Sequence, residues 1–337
     1  MAAFIPNARR PRQFRRVNRQ TDDLDNEELR RRYRFGSENL DRLEDLIGDR
    51  LRHGTNRNFS LTARQQILIA LRFFASGCFL QLIGDTFGVD IATVSRTITR
   101  VTDVLFSLKD EYIRFPTTDD ERRTVQQGFY KIRQFPGVVG CIDGTHVRII
   151  SPPKDQEAAY VNRKRYHSIN VQATCNHRGL FTSINASWPG SSHDSHIFRI
   201  SNVCRYLEAR HQGFEKGVLL GDSGYPCRPF LLTPYLNPTS EREERYNRAH
   251  TSTRNAIERT FGVWKRKFHV LHSEVRMKAA KVSRVIVACA VLHNLAILWN
   301  EPEPQEPQGD DEQPQPDQYQ GPQDGRGVRN YVTNTFF

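Results

Sequence analysis

The sequence of 337 residues has few features of a secreted or disulfide-stapled protein. Its 6 cysteines form no C-x-x-C pair and no cluster with histidines. This spacing argues against a structural zinc site and a disulfide scaffold, so we expect a reducing compartment. The apolar run in residues 1–7 is too short for a signal peptide, and His293 and Asn294 interrupt the longest apolar window, residues 285–298. We therefore expect a soluble protein without membrane association.

The net charge of +11 is unevenly distributed along the chain. Residues 1–20 hold six Arg and no acid, whereas residues 300–337 hold eight acids against two Arg, which leaves +17 on residues 1–299. A surplus of this size attracts polyanions, of which nucleic acid is the commonest and an anionic membrane surface the second. The alternative is that the charge serves only colloidal solubility.

Composition and periodicity divide the chain into four segments. Residues 1–35 are Arg-rich and then acidic, and residues 300–337 are rich in Pro, Gln and acids, so we expect both to be disordered. Residues 36–115 follow a helical pattern, and residues 130–299 mix β-rich and helical runs. A linker around residues 116–120 separates them. The pattern predicts the α/β class, with a helical domain preceding an α/β domain.

The helical segment has a pattern typical of a helix-turn-helix. Thr62 is suited to cap a helix that ends at Gly77, and two further helices meet at a turn around Gly88. In the last of them, Arg96 and Arg100 stand among short polar residues, as in a recognition helix. The alternative is a dimerisation or scaffold domain, since the helix carries little charge, and this leaves a homo-oligomer open. We expect a small core made of Leu82, Ile83, Phe87, Val89, Val94, Ile98 and Val101.

Three acids in the α/β segment lie at the ends of predicted core elements. Asp143 lies in the first predicted strand, Asp222 follows the fourth, and Glu258 lies in the next long helix. If the first and fourth strands are neighbours in a mixed sheet with that helix packed beside them, the three carboxylates meet. The predicted strands are 138–150, 167–179, 179–190 and a run within 217–226; the predicted helices are 194–203, one from 241 and one over 279–299.

Such a carboxylate cluster calls for positive charge. Like charges within about 4 to 6 Å raise one another's pKa. Mg²⁺ or Mn²⁺ would relieve this repulsion, and two such ions can clamp the attacking and leaving oxygens of a phosphoryl displacement. The alternatives are that Asp143 and Asp222, which stand close to glycines, form turns, and that Glu258 forms a solvated ion pair with Arg254.

Five strings of the sequence, taken in order, resemble the PIF/Harbinger transposases and the nuclease derived from them. The resemblance covers residues 35–299. It implies a ribonuclease-H-like DDE catalytic domain in which Asp143, Asp222 and Glu258 are the catalytic acids and bind a divalent metal. It also implies that Asp194 is a fourth acid at or near the metals, the alternative being a helix N-cap. The strings are GCIDGTHVRI, WPGSSHDSHIFR, GDSGYP, NAIERTFGVWKRKF and ACAVLHNL.

Cationic and histidine residues surround these acids in the sequence. A histidine near phosphate can donate a hydrogen bond or carry a proton, although a supporting hydrogen bond to a carboxylate is commoner. Clustered cations on the long helix are suited to neutralising DNA phosphates, unless they are merely solvated. The flanking histidines are His146, His193 and His196. The predicted nucleic-acid contacts are Arg96, Arg100, Arg259, Lys265, Arg266 and Lys267.

The interpretation is a transposase-derived, divalent-metal-dependent nuclease that hydrolyses phosphodiester bonds of DNA. The alternative is a domesticated DNA-binding or protein-binding scaffold without significant nuclease activity, because retained acids permit catalysis without requiring it. The resemblance further implies a Myb/SANT-like protein partner that supplies DNA recognition and nuclear import. We expect the protein in the nucleus, with a cytoplasmic pool.

Overall fold

The structure is a computed structural model that describes residues 24–52, 60–303 and 319–337. Its first part is helical, and helix α3 shows how sequence sets the boundaries. Thr62 and Gln65 form a reciprocal capping box at its start, and Gly77 ends it with a φ of 63°. Both ends were predicted correctly. The helices of this part are α1 (Asn26–Tyr33), α2 (Ser37–Leu51), α3 (Ala63–Ser76), α4 (Leu80–Phe87), α5 (Ile91–Ser107) and α6 (Lys109–Tyr112).

Helices α4 and α5 are joined by a short turn, as predicted. Gly88 ends α4 in the left-handed region, and the Asp90 carboxylate accepts the N–H of Ala92 at the start of α5. Ile83 lies in the core, but Leu82 is 57% exposed, so its predicted core position is wrong. The reason is rotation: α4 is short and turns only one side towards α3 and α5. The function of this helix pair stays a prediction.

The second part is mixed α/β, with five strands in one sheet of order β3-β2-β1-β4-β5. The first three strands pair antiparallel, whereas β4 pairs parallel to β1 and β5 pairs parallel to β4. The predicted neighbourhood of the first and fourth strands is thus confirmed. The strands are β1 (Val138–Arg148), β2 (Ser168–Cys175), β3 (Phe181–Pro189), β4 (Val218–Leu220) and β5 (Leu231–Leu232). The helices are α7 (Asp119–Arg133), α8 (Glu157–Tyr160), α9 (Asp194–Arg199), α10 (Asn202–Arg210), α11 (Glu241–Lys267), α12 (Ala279–Leu298) and α13 (Arg326–Phe336).

Strand β1 separates two faces of the sheet. The Cys141 thiol contacts the carbonyl oxygen of Thr253 in α11 at 3.5 Å, so this side chain points to the α11 face. Ile142, the next residue, instead joins a cluster with Phe198 of α9 and residues of α10. Val139 joins the same cluster because the register of β1 shifts between Val138 and Gly140. Because successive side chains of a strand alternate, the position of a residue in β1 decides which helix layer it meets.

Helix α12 ties the helical part to the sheet. It is long and apolar enough to cross a membrane, but 72% of its most apolar window is buried inside the protein. Asn294 accepts the N–H of Phe181 and donates to the carbonyl oxygens of Phe181 and Tyr112, at 2.7 to 2.8 Å. His293 lies 3.0 Å from the carbonyl oxygen of Gly179. The polar residues that interrupt the apolar window thus satisfy the backbone at the edge of the β2–β3 hairpin.

Disorder was predicted too widely at both ends of the chain. Residues 1–23 and 304–318 lie outside the described residues, but α1 and α13 are helices. Leu29 of α1 is buried, and the Arg329 guanidinium of α13 stacks over the ring of Tyr235. Each helix buries one apolar edge against the main core, which includes both Leu29 and Val332. Polar composition concealed these short amphipathic segments.

Three further sequence expectations need correction in the α/β part. Helix α7 begins at Asp119, inside the predicted linker, and was not predicted. The single helix expected over residues 194–203 is two helices that break at Ile200 and Ser201. The strand expected within residues 217–226 is only Val218–Leu220, since the following residues turn away through bonds between Asp222, Gly224 and Tyr225.

Candidate active site

The register between β1 and β4 sets two of the predicted acids side by side. Cys141 pairs with Leu220 in the parallel ladder. Asp143 lies two residues further along β1, and its side chain points to the α11 face, as that of Cys141 does. Asp222 lies two residues past the end of β4, close enough for its charge to act on Asp143 and for the charges of Arg254 and Glu258 in α11 to act on it. Asp143 is 4% exposed, and Asp222 is half-buried. Burial of two adjacent carboxylates is costly unless positive charge balances them.

Helix α11 brings the third acid and a balancing cation to this face. The Arg254 guanidinium donates through Nη1 to Oδ2 of Asp143 at 3.1 Å and through Nη2 to Oε1 of Glu258. The Arg254 side chain is 15% exposed and that of Glu258 is 36% exposed. We call this group, with Asp222, the acid cluster: Asp143, Asp222, Arg254 and Glu258. The ion pair between Glu258 and Arg254, considered as an alternative to a catalytic role, exists, but it is not the solvated pair expected, because Arg254 is largely buried and also contacts Asp143.

The acid cluster contains three carboxyl groups and only one cationic side chain. Burial raises the pKa of Asp143, the charges of Asp222 and Asp194 raise it further, and Arg254 opposes the shift. Burial also raises the pKa of Asp222, again against the effect of Arg254. One guanidinium is therefore too little charge for these carboxylates, and additional positive charge would stabilise their ionised forms.

Backbone amides hold one oxygen of each aspartate. The N–H of Gly144 donates to Oδ1 of Asp143 at 2.8 Å, and the N–H of Gly224 donates to Oδ1 of Asp222 at 2.9 Å. The turn-forming role considered for Asp222 is thus real, because this bond closes the turn after β4. Such bonds fix the orientation of the carboxylates while leaving the Oδ2 atoms to face other partners.

Asp194 lies on the opposite face of the sheet from the Asp143 side chain. A Cβ on Gly144 would lie 2.4 Å from Oδ1 of Asp194, and Gly144 faces away from α11 because it follows Asp143 in the strand. Asn170 donates to Oδ1 of Asp194 at 2.9 Å, and Gln172 donates to its carbonyl oxygen at 2.9 Å. The N-cap of α9 is His193, so the cap alternative for Asp194 is wrong. Asp194 acts on the acid cluster through its charge, and the sheet separates it from Glu258.

The three predicted histidines make different contacts. Nδ1 of His146 lies 3.0 Å from the Ser168 hydroxyl, and burial lowers the pKa of His146 to about 4, so this ring is neutral near pH 7. His193 contacts the guanidinium of Arg163 at 3.0 Å. His196 packs edge-on against Trp188. The more common expectation, a hydrogen bond from each ring to a carboxylate, is not what these contacts show.

The cations predicted to contact DNA divide into exposed and buried residues. Arg259 is exposed and Arg266 half-buried, whereas Lys265 donates to the carbonyl oxygen of His146, three residues after Asp143 in β1, at 3.2 Å. Lys267 is 3% exposed with its ammonium over the ring of Phe35, and burial lowers its pKa to about 8. The prediction for Lys267 is therefore wrong, because the last turn of α11 is covered by the helical part.

Arg96 and Arg100 lie in a groove between α2, α5 and α12. Its volume is about 550 Å³. Arg100 donates to the carbonyl oxygens of Arg50 and Arg52, which helps to form the wall of the groove. Arg50, Arg96 and Lys281 are exposed there. We call this the α5 groove, lined by Arg50, Ser95, Arg96, Thr99, Arg100, Asp103, Val104 and Lys281.

The donor atoms of the acid cluster suit a hard divalent cation, because all are carboxylate oxygens. Within the part of the chain that the structure describes, no three Asp, Glu, His or Cys side chains are arranged so that they could hold a metal ion as they stand. Arg254 contacts two of the three acids. Asp143, Asp222 and Glu258 therefore fit a metal by chemistry and by placement on one face, provided that Arg254 gives way.

Sequence reasoning misjudged one of the residues that organise this region and did not identify the others. Arg254 was assigned to the surface of α11, but it points into the acid cluster. Asn170 and Gln172 hold Asp194 and were not singled out. A signal was present: Ser168, Asn170, Gln172 and Thr174 are polar at every second position of a strand that is buried throughout. Buried polar residues on one side of a strand indicate partners across that face.

Comparisons with known proteins agree with this arrangement. Residues 142–294 match the DDE superfamily endonuclease family. A mouse protein named "Putative nuclease HARBI1" is 35% identical over 304 residues, 86% of each chain, and the human protein of that name is 34% identical over 290 residues, 83% of this chain and 82% of its own. The chain belongs to the Harbinger-derived DDE superfamily endonucleases. Its α/β part is thus the endonuclease domain of this family.

A more distant relative matches a smaller part of the chain. An Arabidopsis protein named "Protein ALP1-like" is 28% identical over 251 residues, 70% of this chain and 61% of its own. No solved structure matches the chain significantly. The matched family region begins one residue before Asp143 and ends at Asn294. It therefore contains the acid cluster and all but the last residues of α12, whereas the helical part lies outside it.

Proposed function

We propose that this family member is a divalent-metal-dependent nuclease that hydrolyses phosphodiester bonds of DNA. The observation that carries the proposal is the convergence of Asp143, Asp222 and Glu258 on the α11 face of one sheet. Burial raises the pKa of Asp143 and that of Asp222 even beside Arg254, so the additional positive charge of a divalent cation would stabilise their ionised forms. Membership of a family typically dependent on divalent metals supports the same conclusion.

The sheet supports a ribonuclease-H-like assignment for the endonuclease domain. Three antiparallel strands are followed by two parallel ones in the order 3-2-1-4-5, and α11 covers the face of the central strand. Asp143 lies within β1, Asp222 lies just after β4, and Glu258 lies in the covering helix. One acid from each of three elements gives a site that forms only when the whole domain has folded.

In this proposal Asp143, Asp222 and Glu258 hold Mg²⁺ or Mn²⁺. When bound, such ions activate water and neutralise charge on the phosphate during displacement. The amide of Gly144 orients Asp143. Lys265, which donates to the carbonyl oxygen of His146 on the same strand as Asp143, would attract a phosphate.

We further propose that the α5 groove is a second contact site for DNA, remote from the acid cluster, and that it binds the phosphate backbone. Arg50, Arg96 and Lys281 come from three helices and face one groove, which suits a phosphate chain better than a single bound anion. The short turn between α4 and α5 supports the helix-turn-helix interpretation. Base recognition would fall to the exposed start of α5, and a Myb/SANT-like partner would supply further specificity and import into the nucleus.

Nicking of supercoiled plasmid with Mg²⁺ or Mn²⁺ tests the nuclease proposal. We expect the wild-type protein to convert supercoiled to open-circular DNA and Asp143→Asn to lose this activity. Asp85→Asn, in an exposed part of α4, is the matched control and should remain active. Equal nicking by Asp143→Asn and the control would contradict the proposal.

The second candidate function is a DNA-binding or protein-binding scaffold without nuclease activity. Arg254 favours it, because an internal guanidinium already pairs with Asp143 and Glu258 and so reduces the need for a metal. A scaffold should bind DNA without nicking it, and Asp143→Asn should leave that affinity unchanged. DNA affinity together with metal-dependent nicking would exclude this candidate.

A further inference from the structure

The contact between Arg254 and two acids has a consequence for metal binding. Nη1 of Arg254 lies 3.1 Å from Oδ2 of Asp143, and Nη2 binds Oε1 of Glu258. The other oxygen of Asp143 accepts the N–H of Gly144. The oxygen of Asp143 that faces α11 is thus the one that the guanidinium holds. Asp143 and Glu258 would hold a cation through the same carboxylates that the guanidinium now contacts.

The Arg254 guanidinium and a divalent cation are both positively charged, so it is unfavourable for both to bind Asp143 and Glu258 at the same time. A guanidinium keeps its charge in proteins, so Arg254 cannot lose a proton to accommodate an incoming cation. Its side chain is 15% exposed, and repulsion between like charges is stronger there than in bulk water. Asp143 and Glu258 can therefore satisfy the guanidinium or a divalent cation, but not both at full strength.

We propose that Arg254 and a divalent cation compete for Asp143 and Glu258, so that Arg254 must leave these carboxylates before the site can load metal. The inference rests on the proposed nuclease function for its biological meaning, but it concerns binding alone. Arg254 is a positioning residue: it keeps the carboxylates of Asp143 and Glu258 paired and oriented, and it sets the concentration of metal that the site requires. The opposite role is also testable, since an arginine that only orients the acids would strengthen metal binding.

Helix α11 offers a matched control for this arginine. Arg248 pairs with Glu244, four residues before it, as Arg254 pairs with Glu258, four residues after it. The Arg248 side chain is 66% exposed, and it lies six residues, or about 9 Å along the helix axis, from Arg254. Arg248→Gln removes the same charge from the same helix without touching the acid cluster.

The experiment is a calorimetric titration of the full-length protein with Mn²⁺. Removing one competing charge should increase affinity by about tenfold in Arg254→Gln, whereas Arg248→Gln should stay within about twofold of the wild type. Thermal unfolding provides a second readout. Mn²⁺ should raise the Tm of Arg254→Gln by more than it raises that of the wild type, since the variant lacks its internal cation.

Arg254→Lys keeps the inference testable if Arg254→Gln does not fold. Lysine retains the charge but cannot donate to two carboxylates in the fixed geometry of a guanidinium. If both variants fold, the Mn²⁺ affinity of Arg254→Lys should lie between those of the wild type and Arg254→Gln. If only Arg254→Lys folds, it should bind Mn²⁺ more tightly than the wild type. Equal or weaker Mn²⁺ affinity in the folded variants would overturn the proposal. So would the absence of Mn²⁺ binding in all of them.

The nuclease function and the competition between Arg254 and a divalent cation can each be refuted without the other. A wild-type protein that binds Mn²⁺ more weakly than Arg254→Gln but never nicks DNA would refute the nuclease function and leave the competition intact. A protein that nicks DNA, with the same Mn²⁺ affinity in the wild type and Arg254→Gln, would refute the competition and leave the nuclease function intact.

Discussion

The α5 groove makes a quantitative prediction about DNA binding. Replacing Arg50, Arg96 and Lys281 with Ala removes three exposed cations from one groove. Each phosphate that a cation neutralises contributes about 0.9 to the slope of log affinity against log salt concentration. If all three contact phosphates, the triple variant should lose up to about 2.7 from that slope. Arg100 is left in place because it supports the carbonyl oxygens of Arg50 and Arg52.

Fluorescence anisotropy on labelled duplexes across a salt series measures this slope. The control is the triple variant of Arg123, Lys131 and Arg242, exposed cations outside the groove, which carries the same change of charge. We expect the control to keep the wild-type slope within about one unit. An unchanged slope in the folded groove variant would contradict the assignment of the groove. A wild-type affinity that does not depend on salt would contradict phosphate recognition altogether.

Three further predictions address stability and location. Asn294→Ala leaves buried backbone groups of Phe181 and Tyr112 without their partner and should cost about 3 kcal/mol or more of unfolding free energy in urea, whereas the exposed Asn255→Ala should cost about 0.5 or less. Burial lowers the pKa of His250 to about 3, so the unfolded chain takes up this proton first; between about pH 6.5 and 3 His250 should contribute a loss of stability of about 1.4 kcal/mol per pH unit as the pH falls, His250→Gln should show a correspondingly shallower slope, and equal slopes would refute this. Fluorescent tagging should show the protein in the nucleus with a cytoplasmic pool, and strictly cytoplasmic protein with a Myb/SANT-like partner co-expressed would count against nuclear function.

Local signals allowed the correct prediction of several elements. The start of α3 follows from Thr62 and Gln65, which satisfy each other's backbone, and its end follows from Gly77. The neighbourhood of β1 and β4 follows from the apolar runs that precede Asp143 and Asp222 and from the order of the elements. These features depend on residues close in sequence or on simple rules of strand connection.

Other features depend on contacts between distant residues. Lys267 looks like a surface cation of α11 until Phe35 and the helical part cover it. Asp194 is close to the acids along the sheet, but strand alternation sets it behind Gly144. The direction of Arg254 is decided by Asp143, 111 residues away. Each outcome depends on packing that a single sequence does not specify locally.

The central claim is that Asp143, Asp222 and Glu258 act as one metal-dependent site. Its most direct measurement is the plasmid-nicking rate of Asp143→Asn, Asp222→Asn and Glu258→Gln, together with the double variant of the two aspartates. Because the carboxylates would share the same cations, each single change should abolish nicking, and the double variant should be no worse than either single one. Full nicking by any single variant, with Mn²⁺ binding unchanged by calorimetry, would contradict the claim.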